Sequence, residues 1–286
     1  LYNDQLLKPY HIIEKDGLRI GVISLIGTEA YRAAPNAHIL KRSGSIRTAK
    51  KLVKKLRKEE KVDVVICLSH GGIYTRANGT FRNKEDVRLA RKVRGIDVII
   101  SGHTHTLTEE PLVIKGTPIV QSQDKGQFLG KLTLNLEDKS FNYQAIPVTK
   151  EVKEEPAIQS MVSTQFSLLK NFVKEETQLD YDSAYFETQY LLKPDHDKPA
   201  EANIGGFIAD AMRFYVNKYD SMGTNITLIA QGFIREELHP GLHDLEGIFQ
   251  VTSLGIGSDQ LPGYPLSRLY FTAWELKWMM EFIYIA

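Results

Sequence analysis

The chain has 286 residues, of which 42% are hydrophobic and 25% are charged, and its formal net charge is +1. These values are typical of globular proteins, and the balanced charge excludes a general attraction to nucleic acid or anionic membranes. No apolar run is long enough to cross a membrane, and a single cysteine, Cys67, excludes a disulfide framework within the chain.

Apolar runs rich in Val and Ile alternate with amphipathic segments in the first half of the chain. In chain order, we predict a strand at 18–26, a helix at 45–61, a strand at 62–68, a helix at 84–93, and strands at 96–101, 118–121 and 129–136. Apolar strands between helices favour a sheet that is covered on both faces. The basic residues between Arg42 and Lys61 are interpreted as the solvated face of a helix.

The composition changes near Thr149, where charged residues become frequent. Residues 150–174 carry apolar side chains at helical spacing, and we predict a helix there that links two domains. Beyond it we predict a helix at 203–219, short strands at 226–230 and 268–271, and a final helix from about Thr272. The expected division is a first domain at 1–149, a helical linker at 150–180 and a second domain at 181–286.

Histidines follow two of the predicted strands. His70 comes after the strand at 62–68, and Gly102 ends the strand at 96–101 just before His103 and His105. In an extended segment, residues i and i+2 point to the same side, so the rings of His103 and His105 can face one point beyond the strand. Open α/β sheets place their ligand sites at that edge, and imidazole is a common metal ligand. These histidines are therefore candidate metal ligands, and ordinary polar loop residues are the alternative.

Arg235 is a second candidate, because it follows the predicted strand at 226–230 with Gly232 three residues earlier. The planar guanidinium matches a phosphate or a carboxylate. Judged from the residues alone, an ion pair with a neighbouring carboxylate is the simpler interpretation. Tyr264 lies among Pro and Gly residues that indicate a turn, where it can stack on a base or pack against the protein.

The order of the segments resembles that of the 5′-nucleotidase family of calcineurin-like metallophosphatases. The family's strands with metal-binding histidines are matched by DVVICLSHGG and by GIDVIISGHTHT, which carries the Gly-His-x-His motif. Other strands of its catalytic domain are matched by KPYHIIEKDGLRIGVISLIG and GTPIVQSQDKGQFLGKLTLNL. Its C-terminal substrate-binding domain is matched by EANIGGFIADAMR and LIAQGFIREELHPG. The resemblance extends over almost the whole chain.

The resemblance implies an α/β protein: the second half of a metallophosphatase β-sandwich with flanking helices, and a separate, incomplete α/β substrate-binding domain. It implies hydrolysis of nucleotide phosphate esters by two divalent metal ions, such as Zn²⁺ or Mn²⁺. His70 and His103 become ligands of one ion, and His105 becomes a ligand of the other.

The same resemblance assigns residues of the second domain to the substrate. It makes Arg235 a phosphate-binding residue, with Gly232 beside it. Lys198 stands about where a second phosphate-binding Arg is often found, and Tyr264 is a further candidate contact. Leu254 stands where a base-stacking Phe is usual, so a 2′,3′-cyclic nucleotide or a nucleotide sugar remains an alternative to a simple nucleotide.

Several family motifs are missing from the chain. An Asp-x-His, a metal-bridging Asp and an Asn-His-Glu are expected ahead of Leu1, so we expect the chain to be cut at both ends and assign no catalytic residue within it. The alternative to an enzyme is a non-catalytic module that binds a phosphorylated ligand without turnover. The family also implies a periplasmic or extracellular location and a small-molecule partner in nucleotide catabolism, with no role for nucleic acid.

Overall fold

A computed structural model describes residues 8–34, 43–76, 78–194, 203–255, 263 and 265–285. It divides into two units, Leu1–Lys153 and Glu154–Ala286. Within the described parts of both units, no helix is long and apolar enough to cross a membrane. The candidate residues Lys198 and Tyr264 lie outside the described residues.

The first unit alternates strands and helices, as its sequence predicts. In chain order its elements are β1 (His11–Lys15), β2 (Leu18–Ile26), α1 (Thr28–Ala33), α2 (Ser45–Lys58), β3 (Val64–His70), α3 (Glu85–Lys92), β4 (Val98–Ser101), β5 (Leu112–Ile114), β6 (Thr117–Val120), β7 (Phe128–Leu134) and β8 (Phe141–Pro147). The two helices and five strands that we predicted here are confirmed, with end points that differ by a few residues.

Six of these strands form one sheet in the order β1-β2-β3-β4-β6-β5, and β7 and β8 pair separately. Strands β2, β3, β4 and β6 run parallel, while β1 and β5 are antiparallel edge strands. Ser69 of β3 lies opposite Ser101 of β4. The carboxyl ends of these two central strands are therefore level with each other.

One face of the sheet is packed against α2 and α3. The core there is fully buried, and its members include Ile23, Leu56, Val65, Cys67 and Ile99. Burial raises the pKa of the Cys67 thiol, as expected of a cysteine that packs as a small apolar residue in the core.

The opposite face of the sheet corrects the prediction that both faces are covered. Leu68 is 41% exposed and Ile100 is 44% exposed, although both belong to apolar central strands. Side chains alternate between the faces of a strand, so His70 lies on the same face as Leu68. The apolar runs were read correctly as strands, but a strand's own sequence does not show what packs on each side.

The second unit consists of helices and one small two-stranded antiparallel sheet. In chain order its elements are α4 (Pro156–Thr177), β9 (Phe186–Thr188), α5 (Asn203–Tyr219), β10 (Gly241–His243), α6 (Leu245–Val251) and α7 (Ala273–Ile285). Its described core is small, formed by Leu192, Ile204, Ile234, Leu238 and Val251. The predicted helix at 203–219 is confirmed. The final helix begins where predicted, because Thr272 and Glu275 cap its first turn reciprocally.

The strands predicted at 226–230 and 268–271 are wrong, since neither segment has strand structure. Ile226 and Leu228 are 50% and 53% exposed, and Leu269 is 69% exposed. A strand needs a hydrogen-bonded partner as well as an apolar sequence. The described residues provide no such partner for either segment.

Candidate metal centre

The parallel sheet brings two histidines together at the carboxyl ends of β3 and β4. His70 is the last residue of β3, and His103 follows β4 by two residues. Their ring centroids are 5.2 Å apart, with the ring planes tilted by 56°. A Cβ on Gly102 would lie 3.1 Å from His70 Nδ1, so glycine at this position leaves room for the ring of His70.

The turn after β4 is not an extended continuation of the strand. His103 has φ of 80° and His105 has φ of 53°, the left-handed region that is uncommon for residues with a Cβ. The prediction that strand alternation aligns the two rings is therefore wrong. His105 instead places Nδ1 3.2 Å from Asp124 Oδ2. The directions of both rings are set by a strained turn, a feature that often accompanies functional sites.

The surroundings of His103 favour its neutral form. Burial lowers the pKa of this imidazole, and the neighbouring His70 and His105 lower it further. The carboxylates of Glu29 and Glu85 act in the opposite direction but do not reverse the shift. A neutral imidazole has the free ring nitrogen that a metal ion requires.

A buried carboxylate lies behind the two strand ends. Asp86 of α3 is 2% exposed and accepts hydrogen bonds from Ser69 Oγ at 2.5 Å, Ser101 Oγ at 2.6 Å and Gly72 N at 3.0 Å. Burial raises the pKa of Asp86, although these three donors favour its ionised form. The Asp86 carboxylate thus accepts hydrogen bonds from residues at both of the strand ends that carry histidines.

Asp86 was missed in the sequence, although a signal was present. It occupies the buried face of α3, in line with Leu89 and Ala90, at a position where an amphipathic helix ordinarily has an apolar residue. A carboxylate in that stripe indicates a buried polar partner. Gln121, buried on the other side of the histidine-bearing turn, was also missed, and no local pattern marks it.

The donor set fits part of a metal site. With metal–nitrogen distances of about 2.0–2.1 Å and tetrahedral angles, two imidazoles on one ion have centroids about 5 Å apart. The separation of His70 and His103, 5.2 Å, matches this value. Among the described residues, no group of three or more His, Cys, Asp or Glu side chains is arranged to hold a metal ion. The described centre therefore presents two imidazoles at a separation that suits one metal ion.

Comparison with known proteins agrees with this geometry. The family model "calcineurin-like phosphoesterase" matches residues 18–107, a range that contains all three candidate metal-binding histidines. The chain is 28% identical over 258 residues to the trifunctional nucleotide phosphoesterase protein YfkN of Bacillus subtilis, which covers 87% of the chain. It is 29% identical over 225 residues to a 5′-nucleotidase of Vibrio cholerae, which covers 69% of the chain. These matches support the resemblance to the 5′-nucleotidase family that the sequence motifs indicate.

A solved structure of this family shares the fold. The crystal structure of a 5′-nucleotidase precursor from Thermus thermophilus superposes with a TM-score of 0.61 at 23% identity, over 85% of the chain and 48% of the other protein. This likeness confirms the mixed α/β metallophosphatase fold predicted from the resemblance. The chain spans only 16% of the Bacillus subtilis protein and 38% of the Vibrio cholerae 5′-nucleotidase.

The second unit places Gly232 and Arg235 on its surface. Gly232 lies in a single helical turn at Gln231–Phe233, and a Cβ added to it would meet no atom within 4 Å. Arg235 is exposed, and its backbone N–H donates to Val251 O at 2.8 Å. The backbone of Arg235 is thus anchored next to the small core of this unit, while its side chain reaches the surface.

Proposed function

We propose that the protein hydrolyses phosphate esters of nucleotides with two divalent metal ions. The observation that carries this proposal is the His70–His103 pair, with a ring separation of 5.2 Å at the carboxyl ends of two parallel strands. The names of the relatives, a nucleotide phosphoesterase and a 5′-nucleotidase, point to the same substrate class.

In this proposal each histidine has its own role. His70 and His103 hold one ion through their ring nitrogens, and His105 contributes to the second. The 3.2 Å contact of His105 Nδ1 with Asp124 orients its ring and leaves Nε2 for the ion, as carboxylate–histidine pairs do in metal sites. Once bound, the ions would polarise the phosphoryl group and activate a water molecule.

The second unit is proposed to bind the substrate. Arg235 presents a guanidinium suited to a phosphate group, beside the exposed backbone at Gly232. Lys198 and Tyr264 remain candidate contacts on the strength of the sequence alone. The division into a domain at 1–149, a linker at 150–180 and a domain at 181–286 is proposed on the same basis.

The proposed setting is periplasmic or extracellular, with a small-molecule nucleotide or phosphate ester as the partner. This follows from the family resemblance and from no other observation. Fractionation of the producing cells with a specific antibody tests it, since recovery of the protein in the cytoplasm would contradict the proposal.

A phosphate-release assay on the natural full-length protein tests the function. With AMP as substrate and Mn²⁺ or Zn²⁺ present, we expect release that stops with EDTA and is lost in His70→Ala but retained in His11→Ala, which removes an exposed histidine of β1. We expect Arg235→Ala to raise KM more than it lowers kcat.

Two results of this assay would refute the proposal. One is release that is insensitive to EDTA. The other is binding of AMP without any release, which would favour the non-catalytic binding module. Assays with a 2′,3′-cyclic nucleotide and a nucleotide sugar then determine which phosphate ester is preferred.

A further inference from the structure

Gln121 is a buried amide beside the histidine-bearing turn. It follows β6 directly and is 2% exposed. Its Oε1 accepts hydrogen bonds from Thr106 N and from Thr104 Oγ1, the latter at 3.0 Å. Its Nε2 donates to Gly102 O at 2.8 Å and to Ser101 Oγ at 3.0 Å. The side chain therefore contacts the turn before, between and after its two histidines.

These contacts allow only one orientation of the amide. A reversed amide would direct NH₂ at the N–H of Thr106 and would direct an oxygen at the carbonyl of Gly102. Both donors and both acceptor positions are in use as the side chain stands. A fully satisfied buried amide specifies one local structure, because every alternative leaves a buried polar group unpaired.

The turn needs such support because its backbone conformation is energetically unfavourable. His103 and His105 both have positive φ, and residues with a Cβ stay in that region only where their surroundings fix them. Thr104, between them, accepts a hydrogen bond from Ile73 N at 3.0 Å. Gln121 therefore connects this turn, through Thr104, to the segment that follows His70.

A second connection passes through the buried carboxylate. Ser101 Oγ accepts from Gln121 and donates to Asp86. Asp86 also accepts from Ser69, the residue before His70. The two strand ends that carry His70 and His103 thus belong to one continuous hydrogen-bond network.

We propose that Gln121 is a positioning residue of the metal centre, which holds the turn at 102–106 so that His103 and His105 present their rings to the ions. The proposal rests on the proposed function. Gln121 acts through two backbone groups and the hydroxyls of Ser101 and Thr104, and none of these four hydrogen bonds is made to a histidine ring. Supporting residues of this kind typically change metal affinity by about 10–100-fold when they are replaced.

The test compares Gln121→Met with Thr117→Val in the full chain. Met has a similar shape and removes all four hydrogen bonds of the amide. Thr117 is also buried and lies on β6, where its Oγ1 donates to Ile96 O at 3.1 Å, so its replacement breaks a buried hydrogen bond away from the turn. Zinc affinity is measured by calorimetry, and amide hydrogen exchange of the turn is measured in metal-free protein.

We expect Gln121→Met to weaken zinc binding by about 10–100-fold and to speed exchange at Thr104 and Thr106, while Thr117→Val changes neither. Unchanged affinity and exchange in Gln121→Met would overturn the proposal. If Gln121→Met does not fold, Thr104→Val is tested in its place. We expect this variant also to bind zinc more weakly and to exchange its turn amides faster. If neither quantity changes, the proposal is overturned. Absence of zinc binding by the natural full-length protein would refute the proposed function, and exchange in metal-free protein would still decide whether Gln121 fixes the turn.

Discussion

The His103→Ala variant is expected to bind Zn²⁺ more than about 100-fold more weakly than the unsubstituted chain, because loss of a mere supporting partner already costs about 10–100-fold. His103 supplies one of the two imidazoles whose centroids are 5.2 Å apart. Its lowered pKa keeps the ring neutral, so little proton competition opposes the ion at neutral pH. Calorimetric titration of the metal-free chain with Zn²⁺ measures the loss.

His11→Ala is the matched control for this experiment. It removes one histidine from the same unit, at an exposed position on β1, and should leave zinc affinity unchanged. Equal affinities of His103→Ala and His11→Ala would show that the ion binds elsewhere. Circular dichroism of both variants checks that each keeps its fold.

The second large effect concerns stability. We expect Asp86→Ala to lower the free energy of unfolding by about 3–5 kcal/mol, because it leaves two buried donors and one partly buried donor without their acceptor. Those donors are the hydroxyls of Ser69 and Ser101 and the N–H of Gly72. Urea unfolding followed by circular dichroism provides the measurement. If Asp86→Ala lowered the free energy of unfolding no more than an ordinary surface substitution does, this would contradict the structural role of Asp86.

Asp138→Ala is the control for this variant, since Asp138 accepts a backbone hydrogen bond from Ser140 in an exposed turn. It should change stability little. Asp86→Asn should retain more stability than the alanine variant, because the amide oxygen can still accept from Gly72 while the amide N–H can donate to a serine hydroxyl.

The raised pKa of Asp86 also predicts a pH dependence with a definite sign. Burial raises this pKa above the ordinary value of 3.8, so over the interval above 3.8 the folded chain holds a proton that the unfolded chain has released. Stability contributed by this group is complete below the ordinary pKa and is lost as the pH rises through the folded pKa. Relative to Asp86→Asn, the unsubstituted chain should lose stability as the pH increases across this interval. If stability relative to Asp86→Asn instead increased with pH over this interval, burial would not disfavour the ionised form of Asp86.

Strands β3 and β4 show which features of the site can be predicted from the sequence alone. Apolar runs before His70 and before His103 were sufficient to predict β3 and β4, because buried parallel strands are apolar along their whole length. The Ser69–Ser101 register shows that these two strands lie side by side. The metal-binding roles of the histidines remain predictions.

Features that depend on residues distant in the chain could not be predicted from the local sequence. The positive φ of His103 and His105 is held by Gln121 and Thr104, whose contacts exist only once β4, β6 and the turn are assembled. The strand wrongly predicted at 226–230 has the same origin, since an apolar run becomes a strand only beside a partner. Exposure of Leu68 and Ile100 likewise depends on what packs across the sheet.

The central claim is that His70 and His103 share a metal ion at the ends of β3 and β4. A crystal grown with Zn²⁺ and measured at the zinc absorption edge tests it most directly. We expect an anomalous difference peak with both ring nitrogens at about 2.0–2.1 Å, close to the turn at 102–106. A zinc peak bound by other residues, with none between these two rings, would contradict the claim.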